Sequence, residues 1–181
     1  LFAFQSADGI RWSLIDEKPV ITKGAFDSQN LAFWDTTRDQ YRVYFRVFRE
    51  GRDINTATSA DFLKWTEPVL LDYTDGRKTQ LYTNQITPYY RAPHLFLGFP
   101  TRYIDGRGLL TPLNEKLARS HPRYGNDYTD GGFMSSRDAT TFHVWGEAFL
   151  RPGPVKQGRW IYGGNYQNWG IVETAMEPAP E

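Results

Sequence analysis

An all-β fold of repeated four-stranded antiparallel sheets is what this 181-residue sequence predicts. Three observations carry that reading. A short turn phrase recurs along the chain, the best-patterned segment alternates polar and apolar residues with period two, and aromatic residues reach 16%. Phe and Tyr set among β-branched and polar residues favour sheet over helix. Repetition of a unit every few tens of residues marks a modular fold.

The phrase is a serine, an aspartate two residues on, and then a tryptophan. It reads Ser6-Ala7-Asp8-Gly9-Ile10-Arg11-Trp12 and returns as Ser59-Ala60-Asp61-Phe62-Leu63-Lys64-Trp65. A looser copy runs from Ser136 through Asp138 to Trp145. In such a turn the aspartate is expected to bind backbone N–H groups, with the aromatic landing on the next strand and packing inward. The aspartates are 53 and 77 residues apart, so the second step reads as one unit carrying an insertion.

Composition narrows the function classes. Lys and Arg number 21 against 21 Asp and Glu, which leaves no net charge to draw in nucleic acid or an anionic membrane surface. There is no cysteine, so disulfides and thiolate metal sites are excluded. No apolar stretch approaches the roughly 20 residues of a membrane-spanning helix. His94, His121 and His143 show no ligand spacing, and no phosphate-binding loop is present, so no cofactor and no metal are expected. A start at Leu1 and an end in Glu177-Pro178-Ala179-Pro180-Glu181 read as a piece of a longer protein, with the remaining sheets supplied by the same full-length chain.

In chain order, residues 1–25 are expected to form the outer hairpin of one unit and 26–75 a complete one. In the complete unit, strands are predicted over Asn30–Asp35, Gln40–Phe48, Ile54–Ser59 and Trp65–Leu71, joined by Thr36–Asp39, Glu50–Asp53 and the second Ser-Asp turn. Polar and apolar residues alternate from Gln40 to Phe48, the pattern of a half-buried strand. Four antiparallel strands in under about 50 residues make the W-shaped sheet of a propeller blade. Residues 79–153 predict a second blade, with strands over Leu81–Tyr89, His94–Tyr103, Gly131–Ser136 and Trp145–Arg151. Its polar stretch 104–127 is the expected insertion, too long for a hairpin loop. A further blade is expected over 158–181, from Arg159–Gly163 and Gly170–Thr174.

Ser6–Trp12, Phe26–Asn30 with Phe33-Trp34-Asp35, and Ser135–Asp138 with Phe149–Gly153 resemble the bacterial five-bladed β-propeller proteins of glycoside hydrolase families 32 and 43. The resemblance implies a partial five-bladed propeller of about three blades that hydrolyses glycosidic bonds of an oligo- or polysaccharide through paired carboxylates. The expected location is outside the cell or in the periplasm, with the cytoplasm left open. The resemblance also implies catalytic carboxylates at the inner ends of the innermost strands. Asp27 then stands where the base or nucleophile belongs, Glu173 is the candidate acid, and Asp130 reaches the funnel if the insertion folds over it. The place matching Asp27 in the next blade, Leu81–Asn84, holds no carboxylate. That departure favours a rival reading, a non-catalytic glycan-binding propeller. The Ser-Asp turn also resembles the Asp-box of sialidases, although Gly9 follows Asp8 one place too early for it.

Each candidate has a plainer alternative. Asp27 precedes Ser28 and a strand, which is ordinary turn chemistry. Asp130 precedes Gly131-Gly132 and suits a turn, and Glu173 suits an exposed strand position. Tyr82, Asn84, Asn165, Tyr166 and Trp169 form the best sugar-facing set: rings stack on the C–H faces of a pyranose while amides and phenols bond its hydroxyls. Arg91 and His94 flank the bend at Ala92-Pro93, and the fork of donors on Arg102 suits a carboxylate or sugar hydroxyls.

Overall fold

The computed structural model describes residues 1–74, 79–109, 111–156 and 164–174. Strand accounts for 36% of it and α-helix for 4%, so the fold is all-β, in several antiparallel sheets with no closed barrel among the described residues. In chain order the first strands are β1 (Phe4–Gln5), β2 (Ser13–Leu14), β3 (Leu31–Asp35), β4 (Gln40–Phe48), β5 (Arg52–Ser59), β6 (Val69–Leu70) and β7 (Asp72–Tyr73). There follow β8 (Gln80–Leu81), β9 (Thr87–Tyr89), β10 (Ala92–Gly98), β11 (Thr101–Ile104), α1 (Pro112–Ala118), β12 (Tyr128–Gly131), β13 (Met134–Ser136) and β14 (Thr141–Val144).

The first sheet is the antiparallel meander β3-β4-β5-β6, with Leu31 opposite Tyr44 and Tyr41 opposite Ser59. The second runs β7-β14-β13-β10-β9; β7, the last strand before the chain leaves the first unit, joins β14 in parallel and stitches the two units together. A third sheet, β12-β11-β8, branches from the second, and β1-β2 is an isolated hairpin.

The two larger sheets face each other across a core of Tyr44, Ile54, Leu71, Leu81, Ile86, Phe96, Met134, Ala139 and Phe142. Each of the buried Leu, Ile, Phe and Met side chains among them contributes about 1.5–3 kcal/mol by leaving water. The Tyr44 hydroxyl donates to the Ala139 carbonyl at 2.7 Å, so the polar tip of a core ring is satisfied across the sheets. On the other face of the first sheet Ile21, Val43, Phe45 and Ala57 form a second cluster, capped by Leu1, Val20, Phe26 and Trp65. Strand β4 is therefore buried on both faces, from Arg42 to Arg46, and not half-buried as its alternation predicts. The period-two pattern reports one face, whereas the cover on the other face comes from a segment remote in sequence.

The second unit also differs from expectation. Leu81–Tyr89 is not one strand: β8 pairs with β11 and β9 with β10, so the segment between them crosses from one sheet to another. His94–Tyr103 divides at Phe99-Pro100, because proline lacks the N–H that a continuous ladder requires. Its partner divides at the same level, where the Gly132 N–H donates to the Pro100 carbonyl at 2.7 Å. The fourth strand is Thr141–Val144, earlier than the predicted Trp145–Arg151, of which Leu150 alone makes a bridge, to Gly131. Among the described residues of Gly170–Thr174 there is no strand, and Arg159–Gly163 lies outside the described residues. Residues between Ile104 and Tyr128 hold α1, whose N-cap Thr111 accepts from the Asn114 N–H.

The repeated turns share one construction. Asp8 Oδ1 accepts from the Ile10 and Arg11 N–H groups, Asp61 Oδ1 from Leu63 and Lys64, and Asp138 Oδ1 from Thr140 and Thr141. The residue after each aspartate is left-handed: Gly9 at φ 72°, Phe62 at 67° and Ala139 at 68°. At Asp138 burial opposes ionisation, but the Thr141 and Thr140 N–H groups outweigh it and hold the carboxyl down to about 2. Of the two tryptophans at this position, Trp65 packs on the second cluster as expected, whereas Trp12 does not pack inward. Trp12 is 62% exposed, and the Trp12 and Trp65 indole N–H groups donate back to the Gly9 and Phe62 carbonyls, clasping the turn. In the third copy the matching position is Phe142, fully buried, and Trp145 lies three residues beyond it.

Candidate functional site

Side chains of the first and third sheets meet at the end of β4 that carries Arg46 and Phe48, joined by Asp27, Tyr82 and Tyr166 from the connecting segments. Alternation along the strand puts Arg46 on the same face as the core residue Tyr44. The Arg46 side chain is 3% exposed and is neutralised by Asp27, whose own side chain is 74% exposed. Local packing sets Asp27 there. The Ala25 N–H donates to the Arg46 carbonyl at 2.8 Å, and Phe26 packs on Phe45 with ring centroids 5.4 Å apart. Gly24 permits this approach, since a Cβ there would lie 2.5 Å from the Phe26 ring. Asn30 braces the bend by donating to the Phe26 and Ser28 carbonyls, each at 3.0 Å.

Aromatic rings surround the guanidinium groups. Arg46 lies 5.0 Å from the centroids of both Phe48 and Tyr82. Arg52, on β5, lies 4.1 Å from Tyr103 and 5.2 Å from Tyr82, and its Nη1 donates to Gln80 Oε1 at 2.8 Å. Tyr82 packs 6.1 Å from Tyr103 and edge-on against Tyr166 at 5.5 Å. The Arg46 hydrogen bond, with its charge and that of Arg52 behind it, holds the Asp27 carboxyl below the usual carboxylate range. Burial, together with donation to Asp127, pushes the Tyr103 phenol up to about 12.

An amide network joins the segments behind these rings. Gln29 Nε2 donates to Gln85 Oε1 at 2.6 Å, the Gln85 N–H returns to Gln29 Oε1 at 3.2 Å, and Gln85 Nε2 donates to the Gln167 carbonyl. Gln85 is buried and left-handed at φ 49°, a conformation that costs a non-glycine residue energy and is sustained by these bonds. Gln167 Nε2 donates to the Phe99 carbonyl at 2.7 Å, in space that a Cβ on Gly131 would fill.

The predicted site residues fall into separate groups. Asp27, Tyr82 and Tyr166 share the Arg46 cluster. Asn165 stands beside it, bonded through its amide to the Thr129 carbonyl at 3.1 Å. Asn84 is fully buried, accepts from the Ile86 N–H and leaves its Nδ2 without a partner; Trp169, 49% exposed, donates to the Ile86 carbonyl at 3.0 Å. Arg102 and Asp130 form a bidentate pair at 2.6 and 2.8 Å, with both side chains under a tenth exposed. Glu173 is bound by Arg91 and by the Tyr90 hydroxyl at the turn between β9 and β10, and His94 is exposed on β10. The three candidate carboxylates thus sit in three different ion pairs.

Sequence reasoning missed Arg46, Phe48, Arg52, Tyr103, Gln29, Gln85 and Gln167. For Arg46 a signal exists: it holds a core-face position in the best-patterned strand, where an arginine demands a partner. The glutamines carry no such signal.

No family model and no curated protein matches the chain. A solved structure does match it: an N-acetylgalactosamine deacetylase from F. plautii in complex with blood group B trisaccharide. It is 16% identical with a TM-score of 0.53, over 83% of this chain and 37% of that one. The likeness is one of fold, and the matched protein is named a deacetylase, not a glycoside hydrolase of family 32 or 43.

Proposed function

We propose that the chain belongs to a carbohydrate-active protein and binds a glycan at the Asp27–Tyr82–Tyr166 end of the first sheet. The observation that carries this is a carboxylate open to solvent yet fixed from below by a buried arginine, beside a pair of tyrosine rings. Sugars present apolar C–H faces for rings and hydroxyls for carboxylates and amides, so this set of groups fits them. The fold shared with a deacetylase crystallised with a trisaccharide supports the same direction. We read the two larger sheets as neighbouring blades of a propeller, with the glycan at their inner ends. Within that reading Arg102–Asp130 is a brace.

Hydrolysis of a glycosidic bond is the second reading. The depressed carboxyl of Asp27 favours it, since a base or nucleophile must be ionised. It also requires an acid about 5–9.5 Å away; Glu173, the sequence candidate, is held by Arg91 and Tyr90 apart from the Arg46 cluster, so binding stands as the first reading. Incubating the intact protein with a panel of polysaccharides and aryl glycosides, reading both binding and product, tests the two together. Asp27→Asn is expected to weaken glycan binding at least tenfold. Binding and turnover equal to the unsubstituted protein would overturn the assignment.

A further inference from the structure

The Asp27 end holds more positive charge than one carboxylate can balance, and the surplus sits on Arg52. Arg46 is matched by Asp27. Arg52 forms no ion pair among the described residues, and the acceptor of its Nη1 is the uncharged amide of Gln80. Its Nε is buried without a partner. Asp53, the next residue on β5, is already engaged, by Arg49 at 3.2 Å and by the Tyr73 hydroxyl at 2.9 Å. Arg52, Asp53, Tyr73 and Gln80 line one cavity of about 200 Å³. Asp127 is engaged by the Tyr103 hydroxyl and the Gly106 N–H. Neither acid replaces a counter-ion for Arg52.

Resting on the glycan-binding reading above, we propose that the sugar is acidic, a hexuronic acid whose carboxylate is received by Arg52. A guanidinium presents donors in a planar fork matched to a carboxylate, and the Tyr82 and Tyr103 rings that flank Arg52 exclude water and strengthen the contact. Asp27 then accepts from ring hydroxyls, and Tyr166 stacks on the C–H face of the ring. The pairing is complementary: one fixed negative group for hydroxyls, one fixed positive group for the acid.

The test is calorimetric titration of the intact protein with oligosaccharides ending in glucuronic or galacturonic acid, with their methyl esters, and with the matching glucose and galactose oligosaccharides. The acids are expected to bind at least tenfold tighter than their esters, and Arg52→Gln to narrow that ratio to within threefold. Arg52→Lys keeps the charge without the fork and should fall between them. Thermal melts of both variants check that they fold; if Arg52→Gln does not, the ester comparison on the unsubstituted protein decides alone. Equal binding of acid and ester overturns the acidic-sugar proposal while leaving glycan binding intact. Binding of none of these probes or of any neutral glycan overturns both.

Discussion

Arg102 and Asp130 face each other across β11 and β12, whereas Arg46 reaches from β4 to Asp27 on a loop. In the first pair both carboxylate oxygens are taken by the same guanidinium, and Nη1 goes on to the Gly146 carbonyl at 2.9 Å. Nothing is left over for a ligand. In the second pair the arginine is equally buried but the carboxylate is 74% exposed. An identical ion pair therefore braces a sheet in one place and presents an acceptor to solvent in the other. What separates them is which partner has been desolvated.

The largest effect expected is on the closed pair. Arg102→Leu orphans a buried carboxylate and should cost about 3–5 kcal/mol in urea or thermal unfolding. The double variant Arg102→Leu with Asp130→Leu should recover at least half of that loss, because no charge is left buried. A single-variant cost under about 1 kcal/mol, the range of exposed pairs, would erase the distinction. Asp27→Asn should move the melting temperature less than Arg102→Leu does while weakening the proposed glycan binding at least tenfold.

Next in size is the pH dependence. Asp27 has its folded carboxyl below the ordinary aspartate value of 3.8, so its ionised form, and any stability it confers, is present above that value. Both are lost only as pH falls through the lower folded value. Glycan binding followed by fluorescence from pH 7 downwards should therefore hold to below the ordinary carboxylate range. A midpoint above 3.8 would break the assignment of the acceptor to Asp27.

The smallest effect is ionic. Raising salt from 0.1 to 1 M shortens the screening length from about 10 to 3 Å. The coupling between Arg46 and Asp27 in a double-mutant cycle should fall, while that between Arg102 and Asp130 should stay constant. Equal sensitivity of the two would mean that solvent reaches both.

Much of the first unit was legible in the chain. The Gln40–Phe48 strand is found at its predicted bounds, because alternation over nine residues is a strong local signal. The turn chemistry of Asp8, Asp61 and Asp138 was legible too, since a short acceptor two residues after serine reaches its own backbone. The second unit was harder. Breaks at Pro100 and Gly132 and the parallel attachment of β7 depend on partners remote in sequence. Of the candidate site, Asp27 was picked out by its place in the resemblance and Tyr82 and Tyr166 by residue type, while Arg46 and Arg52 emerged only with the rings around them.

The sequence by itself determined the local terms: strand periodicity, the Ser-Asp turns, the absence of cysteine and the balanced charge. Each is set by a residue and its near neighbours. Only the tertiary structure decided which charges are exposed. Burial depends on cover from distant segments, such as Val20 and Ile21 over Phe45, and no local pattern encodes it.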